Sequence, residues 1–352
     1  MRIADDSSFQ ALAAQFLRKQ IKQLAAQDEG IREGIDLEFV HRARVATRRL
    51  RAGLKFFDEC FDARSGKRWR REIRRLTREL GDARDKDVQI EYVRGALAEI
   101  HQPQYVPGIA RLLVTFEHQR ESAQVRVLKA LDRFRASRTA EEIAAAIKPM
   151  TGRETTGPSE YVLKRAEEQI VAGVDDLLSY ETSLADAADQ QQHHAMRIAA
   201  KRLRYAMEIC RGAYADRLDP LLASVKEIQG LLGEIHDRDV WGAQLDALLA
   251  DQRDLLDSTY GHDKPLERIK PGIEHLRQER ARDRDRLFDQ LAGYWQKLRK
   301  ENLWENLVQA VRSRKPPPGP PADKDSSPAE HGNGHVSPAK AADVRGKPAT
   351  KQ

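Results

Sequence analysis

Two histidines in this chain each open a row of cations. After His41 come Arg44, Arg48, Arg51 and Lys55, at intervals of three and four residues. After His194 come Arg197, Lys201 and Arg204, and Glu208 stands where the fifth member would be. On a helix turning about 100° per residue, the first row occupies an arc of roughly 80° and a length of about 21 Å. The opposite arc carries Ala43, Ala46, Leu50, Leu54, Phe57 and Phe61, and in the second copy Met196, Ala199, Leu203, Met207 and Cys210. Each helix therefore has one face made for a core and one that displays charge.

Like charges three and four residues apart weaken an isolated helix by a few tenths of a kcal/mol per pair, so an uninterrupted row needs a reason. A long polyanion supplies one. It cancels the repulsion, and each neutralised phosphate releases condensed counterions. Arginine grips phosphate oxygens bidentately and keeps its charge. A histidine donates one hydrogen bond when neutral and two when charged, and a nearby polyanion favours the charged form, which predicts a pH dependence near neutrality. The competing readings are a solvated basic face, a face paired with acids of another helix, and histidines that orient a neighbour or cap a helix.

The rows are copies of one another. Residues 41–51 (HRARVATRRLR) align without gaps on 194–204 (HAMRIAAKRLR), with six of eleven positions identical, which adds Arg49 and Arg202 to the candidates. Residues 80–88 (LGDARDKDV) align on 232–240 (LGEIHDRDV), with five of nine identical, and the two offsets are 153 and 152 residues. The chain reads as an internal duplication, first repeat about 8–150 and second about 158–312, for which a pseudo-two-fold pairing of helical bundles is the natural arrangement.

Asp85, Asp87, Asp237 and Asp239 follow a glycine in each second block, where N-capping and ion pairing with the basic rows are the plain expectation. Together with His236, Asp237 and Asp239 also suggest a divalent-metal site for phosphoanhydride hydrolysis. Against it, Arg84 occupies the position of His236 in the first half, and Lys86 and Arg238 sit between the acids. A further basic cluster, Lys67, Arg68, Arg70, Arg71, Arg74, Arg75 and Arg78, places Arg71, Arg74, Arg75 and Arg78 on one face, extending the wall or simply balancing Glu72 and Glu79. Lys226 is the one basic residue of the matching stretch.

The elements that must position these groups are helices. Ala, Leu, Arg, Glu and Gln dominate, aromatic residues are 6%, and period-two runs are nearly absent, so almost no strand is predicted. The spacing predicts helices over about 8–27 (capped by Ser8), 37–61, 67–80, 87–98, 108–134 and 139–147, then a linker at 151–159. Helices over about 161–180, 193–215, 220–232 and 239–257 follow, then a loop at 261–271 and a last helix to 312. Residues 315–352 hold eight of the fifteen prolines and are predicted to be disordered. His331 and His335 in that tail read as a solvated pair.

Net charge is +6 with 61 Lys and Arg against 55 Asp and Glu, so clustering matters more than the total. Cys60 and Cys210 read as small buried hydrophobes in a reducing compartment, with no Cys-x-x-Cys to hold zinc. Charged residues interrupt any apolar run at the start, and no long apolar stretch occurs, which predicts a cytoplasmic protein with no membrane span.

The two H-x-x-R-[VI]-A-x-[RK]-R-L-R blocks, each followed by L-G-x-x-x-D-x-D-V, resemble the CHAD family, the conserved-histidine α-helical domain, over about residues 8–312. The resemblance implies an all-α fold of two four-helix bundles related by a pseudo-two-fold axis, a basic channel between them, and binding of inorganic polyphosphate. Many relatives carry a triphosphate-processing CYTH domain; 352 residues leave no room for one, so a catalytic partner is expected to be a separate chain. Residues and resemblance together predict a polyphosphate-binding module rather than an enzyme, with no cofactor, on His41, Arg44, Arg48, Arg49, Arg51, Lys55, Arg71, Arg74, Arg75, Arg78, His194, Arg197, Lys201, Arg202, Arg204 and Lys226. Polyphosphate granules are the place such a ligand would take it. The alternatives are a metal-dependent phosphohydrolase acting on the same polymer and a nucleic-acid backbone binder. The last lacks the interleaved aromatics that stack on bases.

Overall fold

Eleven α-helices account for almost all of the described chain. The computed structural model describes residues 6–151 and 157–313, and no strand occurs among them. The chain divides into two units, Met1–Lys315 and Pro316–Gln352. The tail predicted to be disordered, with His331 and His335, lies outside the described residues, as does part of the 151–159 linker. No helix among the described residues is long and apolar enough to cross a membrane.

In chain order the helices are α1 (Ser7–Ala25), α2 (Asp28–Glu33), α3 (Glu38–Phe56), α4 (Ala63–Glu99), α5 (Val106–Ala136) and α6 (Thr139–Ile147). Then follow α7 (Glu160–Leu178), α8 (Gln190–Cys210), α9 (Asp219–Tyr260), α10 (Leu266–Lys300) and α11 (Leu303–Arg312). In the first half α1 packs on α3, α3 on α4 and α4 on α5; in the second, α7 packs on α8, α8 on α9 and α9 on α10.

Several boundaries differ from the sequence reading. The cap of α1 is Asp6, whose carboxylate accepts from the Phe9 amide at 2.7 Å. Ser8 serves elsewhere: its hydroxyl donates to the Gly157 carbonyl and accepts from the Ser159 amide, both at 3.1 Å, tying α1 to the start of α7. The two helices predicted over 67–80 and 87–98 are one, α4, and those over 220–232 and 239–257 are likewise one, α9. A glycine costs a helix interior about 1 kcal/mol. Leu80 and Ala83 around Gly81, and Leu232 and Ile235 around Gly233, are fully or almost fully buried, and that burial carries the helix through. Helix α10 begins five residues before Pro271 and runs through it. The last predicted helix breaks at Asn302, which takes φ 52°, so α11 turns back onto α7.

The core faces fall where the periodicity put them. Ala43, Ala46, Leu50 and Leu54 of α3 and Met196, Ala199, Leu203, Met207 and Cys210 of α8 are all buried. Two apolar clusters mix the halves. Phe9, Phe56 and Phe57 join the core built by α7–α11, and Ile90, Val93 and Phe116 pack with Trp241, Leu245 and Ile273. Within the latter, α5 and α10 cross backbone to backbone. A Cβ on Gly108 would stand 2.0 Å from the Ile269 carbonyl oxygen, and one on Gly272 would stand 2.1 Å from that of Tyr105. Only glycine fits at either position. The residues around them, Pro107-Gly108-Ile109 and Pro271-Gly272-Ile273, are a third repeated block, at an offset of 164 residues.

Candidate functional site

The charged faces of α3 and α8 turn toward each other where the two helices pack. Their rows merge into one cationic group. Burial, then Arg48, Arg197, Arg44 and Arg51, push the Lys201 ammonium down to about 8 from its ordinary 10.5. Burial lowers Arg197 as well, with Arg48 and Arg44 adding to the effect and Asp237 and Asp85 opposing it. Arg51 is lowered by burial and by Arg74 of α4.

Beside this group lies an open cleft of about 560 Å³. Its walls are Arg48, Arg51 and Lys55 from α3, Lys67, Arg70, Arg71 and Arg74 from α4, and Lys201, Arg202 and Tyr205 from α8. Arg71 touches Glu72, Arg202 touches Asp176, and Arg70 donates to the Leu54 carbonyl at 3.1 Å. Arg48, Arg51, Lys55, Lys67, Arg74 and Lys201 form no ion pair among the described residues. Lys67 and Arg70 join the cleft beyond the residues expected from the sequence; they stand four residues before Arg71 and Arg74 and so share their face. Tyr205, the aromatic side chain of the cleft, is a further addition.

Other predicted residues lie elsewhere. Arg49 and Arg204 converge on Glu208, at 3.3 and 3.7 Å, so this part of the rows is closed by an acid. Arg75 and Arg78 pair with Glu72 and Glu79. Lys226 is exposed on α9 and does not line the cleft.

Arg44 and Arg197 are positioned by the second sequence block. Arg44 Nε lies 3.5 Å from where a Cβ on Gly81 would stand, and Arg197 Nε 3.9 Å from that on Gly233. A methyl fits there, but a longer side chain would compete with the guanidinium. Arg44 also reaches Asp85 at 3.9 Å. Burial raises Asp85 and Asp237, and the neighbouring arginines partly hold both down.

These aspartates stand mid-helix, because α4 and α9 are unbroken, so the predicted N-capping role is wrong for all four. Asp87 instead holds Arg120 of α5, and Asp239 holds Arg284 of α10 at 3.1 Å. Arg284 in turn lies 3.4 Å from Nδ1 of buried His193, whose Nε2 is 3.0 Å from the Ser183 carbonyl. These acids bind helices together. His236 pairs with His194, Nδ1 to Nδ1 at 3.2 Å, rather than with the aspartates. Among the described residues no three His, Cys, Asp or Glu side chains gather as a metal-holding group.

Burial and surrounding cations shift the histidines toward the neutral form. For His41, burial, Arg84, Arg44 and Arg48 outweigh Glu38. For His194 the causes are burial, Arg197 and Lys201, and His236 falls to about 4 through burial, Arg197 and its partner His194. The charged form expected from the sequence is thus disfavoured without an anion.

Fold and cleft together define an all-helical protein with a concave cationic face. The chain belongs to the CHAD domain family, whose model matches residues 15–246; the family is associated in general with polyphosphate binding and metabolism. Two uncharacterized proteins of Mycobacterium tuberculosis, from strains CDC 1551 and H37Rv, are each 29% identical over 235 residues, 62% of this chain. The match spans 42% of those relatives' length. Among solved structures, the CHAD domain of the plant Ricinus communis superposes with a TM-score of 0.57 at 23% identity, covering 76% of this chain and 91% of that one. PptA from Streptomyces chartreusis gives a TM-score of 0.57 at 18% identity, covering 82% and 99%.

Proposed function

We propose that this protein binds inorganic polyphosphate along the α3–α4–α8 cleft and does not turn it over. The observation that carries the reading is the set of six cations in and around the cleft with no acid partner among the described residues. Two of them, Arg51 and Lys201, are driven below their ordinary pKa by burial and by like charge. Such a group is unfavourable by itself and becomes favourable when phosphates fill it. The linear arrangement suits a chain, and a single tyrosine gives bases little to stack on, which favours polyphosphate over nucleic acid. Recruitment to polyphosphate granules follows from the same affinity.

Titration with long-chain polyphosphate, DNA and heparin at two salt concentrations tests this. About six contacted phosphates make affinity fall by on the order of 10³-fold between 50 and 200 mM salt. Equal competition by DNA would overturn selectivity for polyphosphate. Phosphate release with magnesium or manganese, lost on changing Asp237 and Asp239, would overturn the absence of turnover. Arg48→Glu with Lys201→Glu is expected to lower affinity at least 100-fold with helicity unchanged, and retained affinity places the site elsewhere.

A further inference from the structure

We propose a second anion site, separate from the cleft, in the cavity of about 710 Å³ between the start of α8, the middle of α9 and α10. The ligand it fits is a single phosphate group, as free orthophosphate or as the end of a condensed chain. Arg238, Arg277, Arg280 and Arg284 line the cavity together with Asp239, Asp246 and Asp285. Two of the acids are already engaged, and the third, Asp285, is mostly exposed. Asp239 holds Arg284 at 3.1 Å, Asp285 lies 3.8 Å from the same guanidinium, and Asp246 holds Arg277 at 3.0 Å.

Arg238 and Arg280 are left undersatisfied. Arg238 meets only Glu234 of its own turn, the carboxylate and the backbone carbonyl each at 3.3 Å, and Arg280 meets Asp283 at 3.9 Å, among the described residues. The Nε atoms of both are buried without a hydrogen-bond partner. The Arg280 side chain is 9% exposed, and its guanidinium is held 3.4 Å from the Tyr92 ring centroid and 4.7 Å from that of Trp241. A guanidinium fixed between two rings meets an anion with little further ordering cost.

The other half shows that the fold does not need this arginine. Aligning α5 with α10 on their Pro-Gly-Ile blocks, and α4 with α9 on their Leu-Gly blocks, sets Phe116 at the position of Arg280 and Lys86 at that of Arg238. Gln89 and Gln244 take the positions of Trp241 and Tyr92. There the layer is satisfied internally. Gln89 and Gln244 hydrogen-bond each other, and the Lys86 ammonium lies 4.9 Å from the Phe116 ring centroid. In the second half two arginines, Arg238 and Arg280, stand where the first half has a lysine and a phenylalanine. A buried guanidinium with unused donors is costly unless an anion completes it.

Phosphorus-31 NMR on the full chain tests this. In the Arg48→Glu, Lys201→Glu background, which removes the cleft, orthophosphate is expected to bind saturably, and adding Arg280→Met is expected to weaken it at least tenfold. If the source is a chain end, orthophosphate stays free. The end-group resonances of a short polyphosphate then broaden with the wild-type protein and sharpen with Arg280→Met, a reading that rests on the cleft binding the chain. Circular dichroism checks folding; should Arg280→Met unfold, Arg238→Gln carries the same comparison outside the ring clamp. If neither resonance responds to Arg280 or Arg238 in folded protein, the second site does not exist. Failure of the cleft variant to affect polyphosphate sinks the cleft instead and leaves the orthophosphate measurement standing.

Discussion

The two sides of the α3–α8 contact are built from aligned residues and behave in opposite ways. On one side Lys55 and Arg202 both face an open cleft, with the α4 cations Lys67, Arg70, Arg71 and Arg74 opposite them. On the other side their counterparts are Glu208 and Arg49, and these close on each other at 3.3 Å with Arg204 alongside. The α9 positions matching the α4 cations are Asp219, Leu222, Ala223 and Lys226. The exchange of Lys55 for Glu208, together with the loss of most of the α4 cations on α9, separates a closed clasp from an open cationic cleft. Two aligned basic faces thus differ, one closed on an acid and the other open to solvent, and the open one is the surface we propose for a ligand.

The contrast predicts opposite signs for neutralising a cation on the two sides. The largest effect should come from Arg49→Met with Arg204→Met, which leaves the mostly buried Glu208 without a partner and is expected to cost about 2–4 kcal/mol of stability, read by urea denaturation. In the cleft, Lys201→Met should stabilise by about 1–2 kcal/mol, because an ammonium held near 8 is disfavoured in the folded state. The same change should weaken polyphosphate binding about tenfold. A loss of stability in Lys201→Met would show that the cleft is internally satisfied and would remove the argument for a ligand there.

Next in size is the alkaline limb of binding. Lys201 has a folded pKa of about 8, and a bound polyanion raises it. Below pH 8 the ammonium is charged in both states and its contribution is complete. Above pH 8 binding must take up a proton, so affinity is expected to fall as pH rises toward 10, by about tenfold. The measurement is affinity at constant ionic strength from pH 7 to 10, for wild type and Lys201→Arg. The arginine variant should stay flat.

Much of this was legible in the sequence, and the missing parts share a cause. The rows on α3 and α8 and their buried backs follow from periodicity within one helix, and the likeness of the two rows follows from aligning residues 41–51 on 194–204, both of which a sequence displays directly. The clasp was hidden because Arg49 and Glu208 meet only after folding; on the sequence Arg49 was a candidate for the ligand and Glu208 only the acid in the place of a fifth cation. The breaks expected at Gly81 and Gly233 rested on intrinsic propensity, and burial of Leu80 and Leu232 overrode it. The Pro-Gly-Ile repeat was visible but short. Its meaning, a crossing so close that a Cβ on Gly108 would stand 2.0 Å from a carbonyl oxygen, exists only in three dimensions. Gly108→Ala is accordingly expected to destabilise by about 2–3 kcal/mol, whereas Gly81→Ala, with Arg44 Nε 3.5 Å away, should be near neutral.

The smallest expected effect belongs to the histidines, and it asks whether they are part of the cleft's electrostatics or only neighbours of it. His41 and His194 lie below their ordinary pKa, burial being the largest cause and the nearby arginines adding to it. Polyphosphate reverses the sign of the local field, so each histidine gains affinity for a proton when the chain binds. Affinity should then rise as pH falls through the pKa of the complex and level off below that of the free protein. His236 contributes little to this limb above pH 5, being held near 4 in the free protein and shielded behind His194. Replacing both His41 and His194 by asparagine should flatten the profile between pH 7 and 5 while changing affinity at pH 8 less than threefold. A profile that stays steep in the double variant would move the proton uptake to Asp85 and Asp237. Those groups are raised by burial, and protonating them as pH falls would also free Arg44 and Arg197 to face the ligand.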